Sequence, residues 1–431
     1  MRHAPIDPKL FVDNRRRLAE MLPPNSIAVA NANDVLPTNA DGTLPLHPSA
    51  DLFYLTGVEQ EESILVLAPT AAEEKHREIL FLREPNEQLK TWEGHKLGKD
   101  EATKVSGVTT VKWLGEFRTI FRQLMCEAER VFLNSNEHAR ASCDVETRDE
   151  RFVAECRRRF PLHEYHRLAP LLHRLRLVKS PAEVELLKRA IAITADGFRR
   201  VLGFVRPDVN ECEVEAEFIH EFTRQRAKFA YTPIVASGAN ACALHYIAND
   251  QPCQDGDLLL LDVGASYANY NADLTRTIPV NGRFTKRQRD VYDAVLRVMR
   301  ASIAGAVVGK VNRDWRREAQ AMMNDELLRL GLLAEDDLAK PHDADEPACR
   351  KYFMHGLGHP LGLDVHDVGS PHAPFEPGWV ITVEPGIYIP DEGFGVRIEN
   401  DVLITADGPV DLMAGIPVEA EEIETLMRSK R

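Results

Sequence analysis

Four carboxylates and three histidines in the second half of this 431-residue chain have the spacing of a working site. Asp262 closes the apolar run Leu258-Leu-Leu-Leu-Asp262-Val-Gly264, and Asp273 follows eleven residues later in Asn271-Ala-Asp273-Leu-Thr-Arg-Thr277. With a turn at 267–269, paired strands would set both aspartates side by side at one end of a ribbon. His355-Gly-Leu-Gly-His359-Pro-Leu-Gly-Leu-Asp-Val-His366 places three histidines within twelve residues, with glycines between them. Glu384 ends another apolar strand just before Pro385-Gly386. Arg397-Ile-Glu399 alternates charged, apolar and charged, so period 2 puts Arg397 and Glu399 on one face. Each fragment alone has an ordinary reading: solvated turn aspartates, histidines stiffening a Gly-rich loop, a strand-end glutamate, a cross-strand ion pair. The stretch 395–404 resists that reading, because its polar residues lie between apolar ends.

Carboxylates clustered in a core need compensation, since burying like charges together raises their pKa and costs on the order of several kcal/mol. Two divalent cations would supply it. Four carboxylates and one imidazole form a hard, oxygen-rich set that suits Mn²⁺, Co²⁺ or Fe²⁺ better than a thiolate-type zinc site. Bridging carboxylates would hold two such ions ~3.5–4 Å apart, and a water between them would lose a proton near neutral pH and become a nucleophile.

The elements that must carry these residues are legible in outline. Ser180-Pro181-Ala182-Glu183 is a capping box with Pro at the first helical position, and Val184, Leu187, Ile191 and Phe198 follow at helical spacing. Helices are expected over 181–203 and 211–227, then strands over 232–237, 257–263 and 270–279, with a turn at Asn281-Gly282. Thr285 with Gln288 caps a helix carrying Val291, Val295 and Val298, and another helix runs over 314–330 and stops at Gly331. Strands return at 379–384, 386–389 and 395–405, and the acidic stretch 335–348 reads as a surface loop. Upstream, strands over 26–30, 63–68 and 78–82 alternate with helices over 8–22 and 114–128. The pattern predicts an α/β N-terminal domain, 1–177, followed by an α+β domain, 178–431.

Composition narrows the function classes. Lys plus Arg number 53 against 67 Asp plus Glu, a net charge of −14, which argues against nucleic acid as the main partner. Arg15 to Arg17 and Arg157 to Arg159 read as solvated helix faces. The apolar runs are too short for a bilayer span, which takes ~20 residues, and residues 1–17 lack the apolar region of a secretory signal. The seven cysteines show no CxxC spacing and read as reduced thiols of a cytoplasmic protein.

In this order and these contexts, Asp262, Asp273, His359, Glu384 and Glu399 resemble the five ligands of the pita-bread metallopeptidases. Within that superfamily the chain resembles the Xaa-Pro aminopeptidase (aminopeptidase P) family over nearly its whole length. Ser49-Ala-Asp51-Leu-Phe-Tyr54-Leu-Thr-Gly57, Trp92-Glu-Gly94-His-Lys-Leu97-Gly98, Leu244-His245-Tyr246, Asn281-Gly-Arg-Phe-Thr285 and residues 355–369 carry the likeness. The resemblance implies a pita-bread catalytic domain holding two divalent metal ions. Asp262 and Asp273 would hold one ion, His359 and Glu384 the other, with Asp273 and Glu399 bridging. Glu384 would take the proton of the bridging water, and His366 would donate to the oxyanion of the tetrahedral intermediate. His245 would stand on the opposite wall, His355 beside the proline pocket, and Arg397 would hold a bridging carboxylate in place. Asp41 and Trp92 would reach the active-site rim of a neighbouring subunit in a dimer or tetramer.

The implied reaction is release of the first residue from peptides with proline second, by a metal-bridging hydroxide, with Mn²⁺ as the expected metal. A prolidase cleaving Xaa-Pro dipeptides is the alternative, because Gly358 and Pro360 are similar to that family's histidine motif. A dipeptide enzyme needs a cation for the free carboxylate. The loop 367–383, shorter than in typical bacterial members, contains no Arg, Lys or Tyr, which favours longer peptides. An inactive pita-bread module that binds other macromolecules is the rival of a different class; it should have lost ligands, and none is lost.

Overall fold

The computed structural model describes residues 3–138, 140–141, 144–339 and 347–429. They form two compact units, one from His3 to Arg176 and one from Leu177 onward. No described helix is long and apolar enough to cross a membrane.

The N-terminal unit is built on a mixed sheet of β1 (Ser26–Asn31), β2 (Ile64–Leu67), β3 (Glu78–Leu82), β4 (Thr110–Trp113), β5 (Arg130–Leu133) and β6 (Glu164–Arg167), ordered β4-β3-β2-β1-β5-β6. β2 runs antiparallel to both neighbours, whereas the β3–β4, β1–β5 and β5–β6 pairs are parallel. Every residue of β1 and β2 is buried, the apolar runs 27–30 and 64–67 together with the polar ends Ser26 and Asn31. Helix Phe117–Glu127 lays Phe117, Phe121, Leu124 and Met125 on this sheet at helical spacing. The segment 49–57 is a short helix, Ala50–Thr56, opened by the Ser49 cap and closed by Gly57 at φ 66°. A side chain at Gly57 would begin 2.3 Å from the Phe11 ring.

One arginine departs from the expected solvated face. Arg15 is 1% exposed and donates to Leu55 O (2.7 Å), Ser106 O (2.8 Å) and Glu78 Oε1 (2.7 Å). Helices Ala50–Thr56 and Lys99–Ser106 both end there, and carbonyls of their last turns accept from this one guanidinium, with Asn14 donating to the neighbouring Tyr54 O.

The second unit opens with helices Pro181–Leu202 and Glu211–Arg224. Ser180 and Glu183 close the capping box in both directions, and Asn210 with Glu213 repeats it. Its strands are β7 (Lys228–Phe229), β8 (Ile234–Ser237), β9 (Leu258–Val263), β10 (Ala265–Tyr267), β11 (Tyr270–Asn271), β12 (Leu274–Pro279), β13 (Val380–Val383), β14 (Gly386–Ile389), β15 (Phe394–Arg397), β16 (Asn400–Thr405) and β17 (Gly408–Asp411). They form the sheets β12-β9-β8, β11-β10-β7, β13-β16-β17 and β14-β15 with antiparallel pairing throughout. Helix Lys286–Gly305, capped by Thr285 and Gln288, packs Val291, Val295 and Val298 into the core, and this unit is α+β.

Two expectations are corrected. The strand foreseen over 395–405 breaks at 398–399, because β15 pairs with β14 while β16 changes sheet to pair with β13. Within the stretch read as a loop, Glu335–Ala339 is a helical turn and Ala348–Lys351 a 3₁₀ turn; residues 340–346 lie outside the described residues.

Candidate active site

The two aspartates are placed by one ribbon. β9 and β12 pair with Asp262 opposite Thr275, and the register continues through β10 and β11 to Tyr267 opposite Tyr270. Ala268 and Asn269 close the turn with φ of 53° and 63°, the left-handed pair that a two-residue hairpin requires. Asp273 therefore lies diagonal to Asp262 on the same face. Gly264 lets the strands approach: a Cβ there would stand 1.8 Å from Ala272 O.

The histidine segment reaches the same place by running beside β13. Thr382 N donates to His359 O (2.9 Å), Leu361 N to Val380 O (2.9 Å) and Glu384 N to Leu357 O (2.8 Å). Gly358 is required by that contact, since a Cβ would stand 2.0 Å from Thr382 O. The His359 Nδ1 lies 3.0 Å from Pro360 O. Its other nitrogen faces Asp273 Oδ2 at 3.5 Å and Glu384 Oε1 at 3.7 Å.

These elements enclose a pocket of about 410 Å³ lined by Asp262, Asp273, His359, Glu384 and Glu399 together with His245, His355, His366 and Arg397. Asp273, His359 and Glu399 each present a ligand atom within 4.8 Å of the other two. The His359 and His366 rings stand 4.3 Å apart, edge to face. His355 Nε2 meets the Tyr388 hydroxyl at 2.8 Å, and His245 is exposed. Asp41 and Trp92 are not among the residues lining this pocket. Both lie in the N-terminal unit, Trp92 81% exposed on helix Glu87–Glu93.

Arg397 makes a contact other than the one expected. Its Nη2 donates to Asp262 Oδ2 (2.6 Å), its Nη1 to the Tyr388 hydroxyl (2.6 Å) and its Nε to Thr275 Oγ1 (3.2 Å). Thr275 in turn donates to Glu399 Oε2 at 2.6 Å, so that hydroxyl links Arg397 to Glu399 by hydrogen bonds. The strand break explains this: past Arg397 the backbone leaves β15, and Glu399 N donates to Thr275 O. Arg276 clamps the break from behind, donating to Glu399 O (2.7 Å) and Asn400 Oδ1 (2.8 Å).

Sequence reasoning missed Tyr231 and Thr275. The Tyr231 hydroxyl lies 2.6 Å from Asp262 Oδ1 and 2.5 Å from Asp273 Oδ1. No local pattern marks it, for it precedes β8 and meets the aspartates only in the fold. Thr275 could have been found, standing two residues after Asp273 on the same strand face.

The electrostatics are those of a site short of positive charge. Burial, reinforced by Asp273 and Asp262 against His359 and Arg397, pushes Glu384 up to about 7. Burial with the charges of Asp273 and Glu384 holds Glu399 well above the carboxylate range, and burial with Asp273 raises Asp262 despite Arg397. Burial opposes a charged His359, but Asp273 and Glu384 outweigh it and raise its pKa. Burial and the charge of Arg397 lower His355 to about 3, a neutral ring. Crowded acids with raised pKa, hard oxygen donors and one imidazole nitrogen aimed at them fit divalent cations. Asp262, Asp273, His359, Glu384 and Glu399 are the residues that could hold them.

Comparison with known proteins places the chain among metallopeptidases. Residues 185–406 match Metallopeptidase family M24, and residues 11–132 match the Aminopeptidase P, N-terminal domain. A Haemophilus influenzae protein named Xaa-Pro aminopeptidase is 36% identical over 430 residues, 97% of this chain and 96% of the relative. An Escherichia coli Xaa-Pro aminopeptidase is 37% identical, covering 98% of each chain. The solved structure of Zn-substituted Escherichia coli aminopeptidase P in complex with product superposes with a TM-score of 0.87 at 35% identity, covering 99% of this chain and 100% of the other.

Proposed function

The chain belongs to metallopeptidase family M24 and is a metal-dependent aminopeptidase, and we propose that it releases the first residue from peptides with proline in the second position. The observation that carries this reading is the meeting of Asp273, His359 and Glu399, their ligand atoms within 4.8 Å, in a pocket lined as well by Asp262, Glu384, His355 and His366.

Bound divalent metal would supply Lewis acidity and a water acidified toward neutral pKa. We assign Asp262, Asp273, His359, Glu384 and Glu399 to hold two ions, with Mn²⁺ as the metal and Co²⁺ or Fe²⁺ as substitutes. Glu384, which lines the pocket with its Oε1 3.7 Å from the His359 ring nitrogen, is assigned to take the proton of the attacking water. His366, edge-on to His359 in the pocket, is assigned to hold a proton toward the developing oxyanion. Arg397 holds Asp262 and, through Tyr388, the neutral His355; His355 and His245 are assigned to the walls around the proline ring, which offers no N–H to recognise.

The same proposal includes a homo-oligomer, dimer or tetramer, in which Asp41 and Trp92 border a neighbouring subunit's site. A tryptophan 81% exposed has apolar area to bury in such a contact. A cytoplasmic location completes it, supported by free thiols at the exposed Cys126 and Cys212.

The test is a mass-spectrometric digest with metal-stripped protein, with and without Mn²⁺, on a mixture of an Xaa-Pro-Xaa tripeptide, an Xaa-Pro dipeptide and Met-Ala-Ser. Mn²⁺-dependent loss of the first residue from the tripeptide is expected. Preferred dipeptide cleavage would make the chain a prolidase, and no cleavage with any divalent metal would leave a binding module.

A further inference from the structure

Beside the carboxylate pocket lies a second cavity of about 270 Å³, and its wall is basic. Arg313, Arg316 and Arg317 line it from helix Asn312–Arg329, and Arg350 lines it from the turn Ala348–Lys351. Positions 313, 316 and 317 fall on one helix face by the three-and-four rule. His355 lines both cavities, and Gly356 continues the wall into the second. Two of the arginines are tied to the histidine segment itself: Arg316 Nη2 donates to Gly358 O (2.6 Å) and Arg350 Nη2 to Met354 O (3.1 Å). Arg313 and Arg317 are half exposed, with Asp314 Oδ1 at 4.0 Å and 3.9 Å. Among the described residues lining the groove there is no carboxylate, in a chain whose net charge is −14.

We propose that this groove recognises a carboxylate on the leaving peptide, beyond the proline. The inference rests on the aminopeptidase reading and extends it to a substrate class. A peptide seated past His355 delivers its next residues to Gly356 and the guanidinium wall. Guanidinium forks match a carboxylate in geometry as well as charge. The carboxylate is either the peptide's own C-terminus or an acidic side chain in the residues after proline. The loop 367–383 carries no Arg, Lys or Tyr; the arginines of the groove come from a helix some fifty residues upstream and from the turn before the histidines.

The test compares kcat/KM of the Mn²⁺-loaded full chain on Ala-Pro-Ala-Ala amide, the same peptide with a free C-terminus, and amides carrying Asp at the third or the fourth position. At least one anionic peptide should exceed the neutral amide by about fivefold or more, chiefly in KM, and the advantage should shrink as salt is raised from about 0.05 M to about 0.5 M. Which arm gains distinguishes a terminal from a side-chain carboxylate. In Arg313→Gln/Arg317→Gln, and separately in Arg350→Gln, the ratio of anionic to neutral peptide should fall toward one. A wild-type ratio within about twofold in every arm, or a preference that survives these substitutions, would overturn the groove while leaving the aminopeptidase standing. Failure of the wild type on the neutral amide with every metal would instead sink the aminopeptidase reading, and the groove with it.

Discussion

Replacing Arg397 with Met puts the electrostatic account at risk most directly. The residue is 4% exposed and its side chain donates to Asp262 Oδ2, the Tyr388 hydroxyl and Thr275 Oγ1. Met keeps much of the volume and removes all of them, leaving the Asp262 carboxylate beside Asp273 without its guanidinium. Breaking a buried ion pair from one side costs about 3–5 kcal/mol. For a unit of this size about 1 kcal/mol shifts Tm by ~2–4 °C, so the metal-free variant should melt roughly 6–20 °C below wild type at neutral pH. The deficit should shrink at acid pH, because a protonated Asp262 no longer needs a cation. Metal affinity should fall about 10–100-fold, since the residue that orients a ligand is gone. Arg397→Lys should lie between, keeping a charge but losing the fork that spans Asp262 and Tyr388 at once. Calorimetry of chelator-treated proteins across pH, with competitive Mn²⁺ titration, reads every part of this. A Met variant with metal-free Tm within about 2 °C of wild type and unchanged Mn²⁺ affinity would show that Arg397 does not hold Asp262 as described.

Without metal, burial pushes Glu384 up to about 7 from an ordinary 4.5, so the metal-free folded state binds more protons between these limits. Metal-free stability should therefore fall as pH rises through that window, by up to about 3 kcal/mol from this group, and Glu384→Gln should remove that share of the slope; a metal-free Tm that climbs across the window would contradict it. Lys179 Nζ and Asp367 Oδ2 pair at 3.0 Å with both side chains 1% exposed, next to His366. Lys179→Met should destabilise by about 3–5 kcal/mol, and Lys179→Met/Asp367→Leu should recover most of it in denaturant titrations. His366→Ala should lower kcat by roughly 10²–10³ with little change in KM, which steady-state kinetics on an Xaa-Pro peptide would show; an equal rise in KM would move the residue to substrate binding.

Much of the architecture could be read in advance because its signals are local. Ser180 to Glu183 caps its helix, and Thr285 with Gln288 caps another, through bonds made within four residues. The apolar runs at 26–31 and 258–261 become buried strands since nothing else satisfies so much contiguous apolar surface. Errors fell where a neighbour distant in sequence overrode a local pattern. Arg15 looked like a solvated helix residue, and the ends of two other helices drew it inside. The stretch 395–405 looked like one strand, and competition between β14 and β13 for its edges split it.

The site divides along the same line. Residue types and spacing were enough to show which side chains could ligate hard cations, and that Asp262 and Asp273 share one face of a ribbon, because a hairpin's register follows from its own turn and its period of two. What those carboxylates rest on came only from packing between distant elements. Tyr231 is shared between two acids, Arg397 donates to Asp262 and not to Glu399, and an arginine wall from helix Asn312–Arg329 comes to stand beside His355. Charge acts through space across a dry interior, so the partner of a buried carboxylate is chosen by whichever element packs against it, at any distance along the chain.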